Sequence, residues 1–248
     1  DHKIKRAFVA PPIVLALAKH PMVADYDLSA LECVLSGAAP LGAELADEAS
    51  QRLGCEVVQG YGMTELSPVS HSTPTGMFKP GSIGVLIPST ECRIVDPETG
   101  NDLGIGEDGE IWIRGPQVMP GYLNNETATA ETVDADGWLH TGDIGHADED
   151  GHFHIVDRLK ELIKFKGFQV PPAELEALLV THPAVADAAV IGVPDDEAGE
   201  LPKAFVALKQ GQEASEDEIK QFVAEKVATY KQIRILEFVE EIPKSASG

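Results

Sequence analysis

A chain of 248 residues, 43% hydrophobic and 24% charged, can bury one large core or two small ones and has an ordinary globular composition. Nineteen Lys and Arg against forty-one Asp and Glu leave a net charge of -22, which repels phosphate backbones and anionic lipid and excludes nonspecific nucleic-acid binding. The three cysteines, Cys33, Cys55 and Cys92, lack CxxC spacing, so neither a disulfide framework nor a zinc ribbon is on offer, and a reducing, cytoplasmic compartment fits best.

Ala7 to Ala10 reads as a short buried strand, and Ile13 to Lys19, entered through Pro12, as a helix apolar on all sides that belongs inside a larger domain. Its uninterrupted apolar run, Ile13 to Ala18, falls far short of the roughly twenty residues of a membrane span. Pro11 and Pro12 also break the signal-peptide-like pattern that Lys3-Ile4-Lys5-Arg6 begins. Because the chain opens on Asp1 rather than Met, inside a strand and helix unit, it is expected to be part of a longer polypeptide.

Glu32 to Ser36 and Cys55 to Gln59 read as further strands, with an amphipathic helix from Ala43 to Leu53 between them, closed by Gly54. Alternating strands and helices imply a parallel sheet. Two of its strands run into glycine-rich turns, Ser36-Gly37-Ala38-Ala39-Pro40 and Gly60-Tyr61-Gly62-Met63-Thr64-Glu65, at the strand ends where open α/β sheets bind ligands.

From Gly81 to Asp157 short strands at Cys92 to Asp96, Glu110 to Arg114 and His152 to Asp157, separated by turn sequences, suggest a small antiparallel sheet or barrel. Beyond Asp157, a helix from Pro172 to about His182 precedes strands at Ala186 to Val193 and Ala204 to Leu208. A capping box, Ser215-Glu216-Asp217-Glu218, then opens a last helix to about Ala228. The fold expected is α/β plus α+β: an incomplete parallel αβ sheet over 1-80, a small antiparallel β part over 81-157, and a mobile C-terminal α+β domain over 158-248.

Several side chains carry chemistry. Glycine turns let backbone amides approach a nucleotide, Tyr61 offers a face for a purine, Thr64 a hydroxyl for a phosphate, and Glu65 a hard oxygen for Mg²⁺. A tight turn around a core tyrosine is the competing reading. Asp143, after the glycine turn His140-Thr141-Gly142, suits the two hydroxyls of a ribose or else a helix or turn cap, and Arg158 offers a donor fork or a surface ion pair with Asp157 or Glu161. His152 and His154 lack a third ligand for a metal, Cys55 lacks an activating His, and Thr75 to Gly81 reads as a surface loop rather than a phosphate loop.

Charge is uneven along the chain, with balances of -3 over 1-90, -14 over 91-157 and -5 over 158-248. Directly after the most acidic part stands a cationic island, Arg158, Lys160, Lys164 and Lys166, opposed only by Glu161. It is either a solvated face or a seat for a small anion.

In series, five segments carry a resemblance: Ser36 to Pro40, Gln59 to Glu65, Gly109-Glu110-Ile111-Trp112-Ile113-Arg114-Gly115-Pro116, Thr141-Gly142-Asp143, and Asp157-Arg158-Leu159-Lys160-Glu161-Leu162-Ile163-Lys164. Together they resemble the adenylate-forming superfamily of acyl-CoA synthetases, firefly-luciferase-like enzymes and peptide-synthetase adenylation domains. Phe8 to Lys19 and Lys164 to Val170 look most like 4-coumarate:CoA ligases.

The resemblance covers the whole chain but only the second half of a family member. It implies an upstream half with a phosphate loop ending in Pro-Lys-Gly, and a lysine following Pro243 to Gly248, so the piece alone is expected to be inactive.

The implied activity joins a carboxylic acid to ATP and passes the acyl group to coenzyme A, with Mg²⁺ on the phosphates. The implied acid is aromatic; a medium- or long-chain fatty acid, a luciferase-like oxygen acceptor, a carrier-protein thiol and a noncatalytic nucleotide-binding module remain alternatives. By likeness, Gly37, Ala38, Ala39, Gln59, Gly60 and Tyr61 hold adenine, Thr64 meets the α-phosphate, Glu65 the metal, and Asp143 and Arg158 the ribose. Gly37, Tyr61, Gly62, Pro68 and Val69 line the acyl pocket. Lys160 is the hinge, Lys164 and Gln169 join Thr64 in catalysis, and Lys166, Gly167 and Phe168 line the path of CoA.

Overall fold

The first three strands, β1 (Arg6–Val9), β2 (Cys33–Ser36) and β3 (Glu56–Gly62), run parallel, as crossover connections require. The crossovers carry helices α1 (Pro11–Lys19) and α2 (Ala43–Leu53). Gly54 ends α2 in the left-handed region at φ 66°, returning its N–H to Ser50. From the last turn of α2, Arg52 donates to the carbonyls of Ala18 at 2.6 Å and His20 at 2.7 Å, satisfying the C-terminal end of α1. The two helices share a core of Val14, Ala18, Ala46 and Ala49 with Val34 and Val57 of the sheet. On its other side α1 exposes Ile13 and Leu15, so the described residues cover only one face of its apolar stretch.

The computed structural model describes residues 2–39 and 41–243. In it the sheet is mixed rather than purely parallel. Beyond Gln59, β3 pairs antiparallel with β4 (Val69–Ser72), which pairs with β5 (Val85–Leu86). Gly60-Tyr61-Gly62 is therefore strand, not the expected turn, and the chain reverses through Met63 to Pro68 with a 3-10 turn at Thr64–Leu66. Its glycines serve close approach: a Cβ on Gly62 would stand 1.8 Å from the Pro68 carbonyl oxygen.

Four antiparallel strands follow in the order β6 (Glu91–Val95), β7 (Gly109–Arg114), β8 (Leu139–Ala147) and β9 (Phe153–Arg158). Helix α3 (Glu126–Thr132), capped by Asn125 Oδ1 accepting from the Ala128 N–H, lies between β7 and β8 in the chain. Leu66, Ile83, Ile111, Ile113, Leu139 and Phe153 form the core here. Strand β8 and helix α3 escape the sequence reading, and His152 precedes β9 rather than lying on it.

The chain forms two compact units, and the boundary falls within β9, between Ile155 and Val156. In the second unit β10 (Ile163–Phe165) and β11 (Phe168–Val170) make a hairpin that precedes α4 (Pro172–Leu179). A longer hairpin, β12 (Val185–Asp195) and β13 (Gly199–Leu208), precedes α5 (Glu216–Ala224), and β14 (Ile235–Val239) returns parallel to β13. Leu175 and Leu179 of α4 and Ile219 and Val223 of α5 pack with Val190, Ala204 and Val206 of the sheet.

Ser215 caps α5 by accepting from the Glu218 N–H at 3.2 Å. The helix stops before the expected Ala228 because Lys226 bonds back to Val223 in a tighter turn. Helix α4 likewise stops short of His182, whose successor Pro183 disfavours helical backbone before it. Among the described residues no helix is long and apolar enough to cross a membrane.

Candidate active site

Ser36, the last residue of β2, stands in register with Gln59 of β3, where the parallel pairing of β3 ends. Gln59 is buried, and its amide grips Leu41 twice, accepting from the Leu41 N–H at 3.0 Å and donating to the Leu41 carbonyl at 3.1 Å. The side chain of one motif thus ties down the loop of the other. In that loop Gly37 donates to the Val9 carbonyl at 3.1 Å, and a Cβ added to Gly37 would meet nothing within 4 Å. The left-handed residue is instead Ala38, at φ 72°, a conformation that costs an L-residue about 1 kcal/mol. Ala39 is half-buried, and Pro40 lies outside the described residues.

Tyr61 donates its hydroxyl to Asp143 Oδ2 at 2.5 Å, joining two predicted nucleotide residues. The Tyr61 ring meets His71 edge-on at 5.7 Å, and burial pushes the His71 imidazole down to about 3.

Asp143 sits in a bulge of β8, not after a turn. Glu110 pairs with Ile144 and Trp112 with His140, so Ile111 alone faces Thr141, Gly142 and Asp143. Gly142 takes φ 71°, which the bulge requires. Three hydrogen bonds hold it: Thr141 Oγ1 donates to the Ile111 carbonyl at 2.7 Å, the Asp143 N–H to Thr141 Oγ1 at 3.1 Å, and the Gly142 N–H to Glu110 Oε1 at 2.9 Å.

The other oxygen of the buried Glu110 carboxylate accepts from Trp112 Nε1 at 2.8 Å. Trp112 stacks on His140 at 3.7 Å, Arg93 lies over both Trp112 and Trp138, and Arg114 lies over Trp138 at 4.4 Å. Sequence reading found Asp143 but missed Glu110, although the residue stands in a motif it singled out.

Glu65 and Thr64 occupy the 3-10 turn. The Met119 N–H donates to the Glu65 carbonyl at 2.8 Å, and Tyr122 donates its hydroxyl to Glu65 Oε1 at 2.7 Å, a bond that raises the Tyr122 phenol above its usual range. Thr64 is exposed beside it. One carboxylate and one hydroxyl fit an ion such as Mg²⁺, which takes few protein ligands and completes its shell with water and phosphate oxygens. Among the described residues no three His, Cys, Asp or Glu cluster as an all-protein metal cage. Of the acyl-pocket candidates, Gly37 borders open space, Pro68 and Val69 are exposed, and Gly62 already answers to the β3–β4 approach.

In the second unit, Lys164 and Gln169 face each other across the β10–β11 hairpin. Between these strands Lys166, at φ 50°, and Gly167, at φ 82°, form the two-residue loop, the geometry of a type I′ turn. A Cβ on Gly167 meets nothing within 4 Å, so within this unit the glycine supplies positive φ rather than clearance. Phe168 stacks on Tyr230 at 4.6 Å, a partner that the sequence did not reveal. Lys160 is exposed in the turn after β9. Asp157 accepts from the Arg158 N–H at 2.7 Å and caps α4 through the Ala173 N–H at 2.9 Å, so its oxygens serve backbone donors.

The side-lined candidates have structural partners. His152 lies 3.1 Å from Ser82 Oγ, and His154 lies 3.1 Å from Asp148. Lys79, in the Thr75 to Gly81 loop, bridges Asp148 and Asp150. All three cysteines are free, and burial drives the Cys92 thiol up to about 12.

The AMP-binding enzyme family matches residues 1–123, and the AMP-binding enzyme C-terminal domain matches residues 174–248. The chain is 53% identical over 252 residues to 4-coumarate--CoA ligase 2 of Oryza sativa subsp. japonica, covering 99% of this chain and 44% of the relative. It superposes with a TM-score of 0.93 and 33% identity on ATP-bound MatB from Rhodopseudomonas palustris, covering 98% of this chain and 48% of that one. For the anthranilate CoA ligase AuaEII in complex with anthranoyl-AMP, the TM-score is 0.87 at 34% identity, covering 99% of this chain and 48% of that one. The chain spans less than half the length of these relatives.

Proposed function

The chain belongs to the AMP-binding enzymes, and from that membership we propose that its protein is an acid-thiol ligase acting on an aromatic, 4-coumarate-like acid. A carboxylate oxygen attacks the α-phosphorus of ATP, the bond to pyrophosphate breaks, and an acyl-adenylate forms. The thiol sulfur of coenzyme A, having given up its proton, then bonds the acyl carbon, and AMP leaves. The observation that carries this reading is the Tyr61–Asp143 hydrogen bond beside the Gln59 clamp, set in a chain so similar to a 4-coumarate--CoA ligase.

Asp143 accepts from the ribose hydroxyls, and the backbone of Gly37 to Ala39 and of Gln59 to Tyr61 borders adenine. Thr64 donates to the α-phosphate. Glu65 holds Mg²⁺, which when bound neutralises phosphate charge. Gly37 borders open space that suits a flat ring, with Tyr61, Gly62, Pro68 and Val69 as the other proposed lining residues. Arg158 offers a donor fork to the nucleotide. Lys164 and Gln169 assist adenylation, and Lys166, Gly167 and Phe168 guide the thiol donor. Lys160 is the proposed pivot between the half-reactions. Three free thiols support a reducing, cytoplasmic setting.

Mass spectrometry of products from the full-length protein, given ATP, CoA and a panel of aromatic and aliphatic acids, tests the reading. Thioesters of hydroxycinnamates should dominate. A preference for medium- or long-chain acids would replace the substrate class, and the absence of any acyl-adenylate would sink the activity.

A further inference from the structure

We propose that Glu110 is a positioning residue for the nucleotide site, holding Asp143 at the ribose by locking the β8 bulge. The inference rests on the reading of Asp143 as the ribose acceptor.

The geometry leaves little freedom. The Glu110 carboxylate is buried, and each of its oxygens takes one donor that belongs to the site's scaffold: Oε1 the Gly142 N–H at 2.9 Å, Oε2 the Trp112 indole N–H at 2.8 Å. Gly142 immediately precedes Asp143 and is the residue whose positive φ makes the bulge. An unanchored Gly142 samples many conformations, since no Cβ restricts it, and Asp143 would move with it. A charged acceptor bonds such donors more strongly than a neutral one and resists their exchange for water. On the far side, Trp112 is pinned between His140 at 3.7 Å and the Arg93 guanidinium at 5.3 Å, so Glu110 is braced by a fixed indole. Tyr61 reaches Asp143 from β3 and completes the arrangement.

Substituting Glu110→Gln isolates this role. A glutamine has one oxygen and one NH₂, yet its position faces two donors, so one of the two hydrogen bonds must fail. Trp112→Phe removes the second donor and keeps an aromatic ring. In that background the glutamine oxygen can serve Gly142 alone, and Glu110→Gln should do less harm.

The experiment measures KM for ATP and for 2′,3′-dideoxy-ATP in the full-length protein, because only loss of the ribose grip changes their ratio. A merely structural role would lower activity or Tm and leave the ratio alone. The native ratio should exceed tenfold, Asp143→Ala should bring it near one, and Glu110→Gln should reduce it at least threefold, with a smaller reduction when added to Trp112→Phe.

If Asp143→Ala collapses the ratio but Glu110→Gln leaves it native, the positioning role is wrong. If Asp143→Ala itself leaves the ratio native, the ribose assignment is wrong and the inference falls with it. Should Glu110→Gln fail to fold, Glu110→Asp, which draws the carboxylate back by one methylene, decides: a ratio reduced together with exchange protection at the Gly142 amide supports the proposal, and a native ratio overturns it.

Discussion

Tyr61 and Asp143, separated by 82 positions in the chain, share a 2.5 Å hydrogen bond from phenol to carboxylate. If Asp143 holds the ribose, Asp143→Ala removes a charge-assisted acceptor and costs about 1.5 to 3 kcal/mol of nucleotide affinity. Tyr61→Phe should cost less, because the carboxylate survives. Calorimetric titration of the full-length protein with an acyl-adenylate analogue checks both, and an unchanged affinity in Asp143→Ala would remove the ribose assignment.

His71 sets an acid limit on the first unit. Its folded-state pKa is held down to about 3 by burial, against an ordinary 6.5 once unfolded. The stabilisation from keeping it neutral is thus fully present above 6.5 and is lost as pH falls from 6.5 toward 3, by up to about 1.4 kcal/mol per pH unit. In His71→Gln that contribution to the slope should vanish. Denaturant midpoints followed from neutral to acid pH in both proteins should diverge in slope; parallel slopes would show that His71 does not titrate between the two states.

Two glycines of the proposed acyl pocket should respond oppositely to alanine. At Gly62 the new methyl would stand 1.8 Å from the Pro68 carbonyl oxygen, so the β3–β4 pair must shift at a cost of about 3 kcal/mol. At Gly37 the methyl meets nothing within 4 Å, and stability should stay within about 0.5 kcal/mol while acid selection narrows. Thermal melts and an acid panel on both variants are the check. Equal destabilisation would contradict the geometry.

Lys160→Pro fixes φ in the turn after β9, where the lysine side chain is exposed. If Lys160 is the pivot, pyrophosphate release should persist while thioester yield fails. Equal loss of both half-reactions would make it an ordinary determinant of folding or binding.

How far the sequence reveals this molecule depends on whether the information is local. The limits of α2, Ala43–Leu53 with Gly54 after it, coincide with those expected because amphipathic spacing and a glycine stop lie within one short window. Strand β8 is hidden because its bulge at Thr141-Gly142-Asp143 destroys the alternation that identifies strands, so a glycine in a bulge reads as a glycine in a turn. The Gly60 to Gly62 misreading has the same origin. Motif residues such as Asp143 and Glu65 are recognisable singly, but Tyr122, 57 positions from Glu65, and Glu110, 32 positions from Gly142, act through contacts that only the folded sheet creates.

The stacked ladder has a spectroscopic consequence. The chain holds two tryptophans, and both, Trp112 and Trp138, lie in the first unit against the same arginine. Indole emission is therefore a private reporter of that unit, while circular dichroism sums over both. When this chain is unfolded by denaturant, disagreement between the two signals would resolve two transitions where either probe alone would record one.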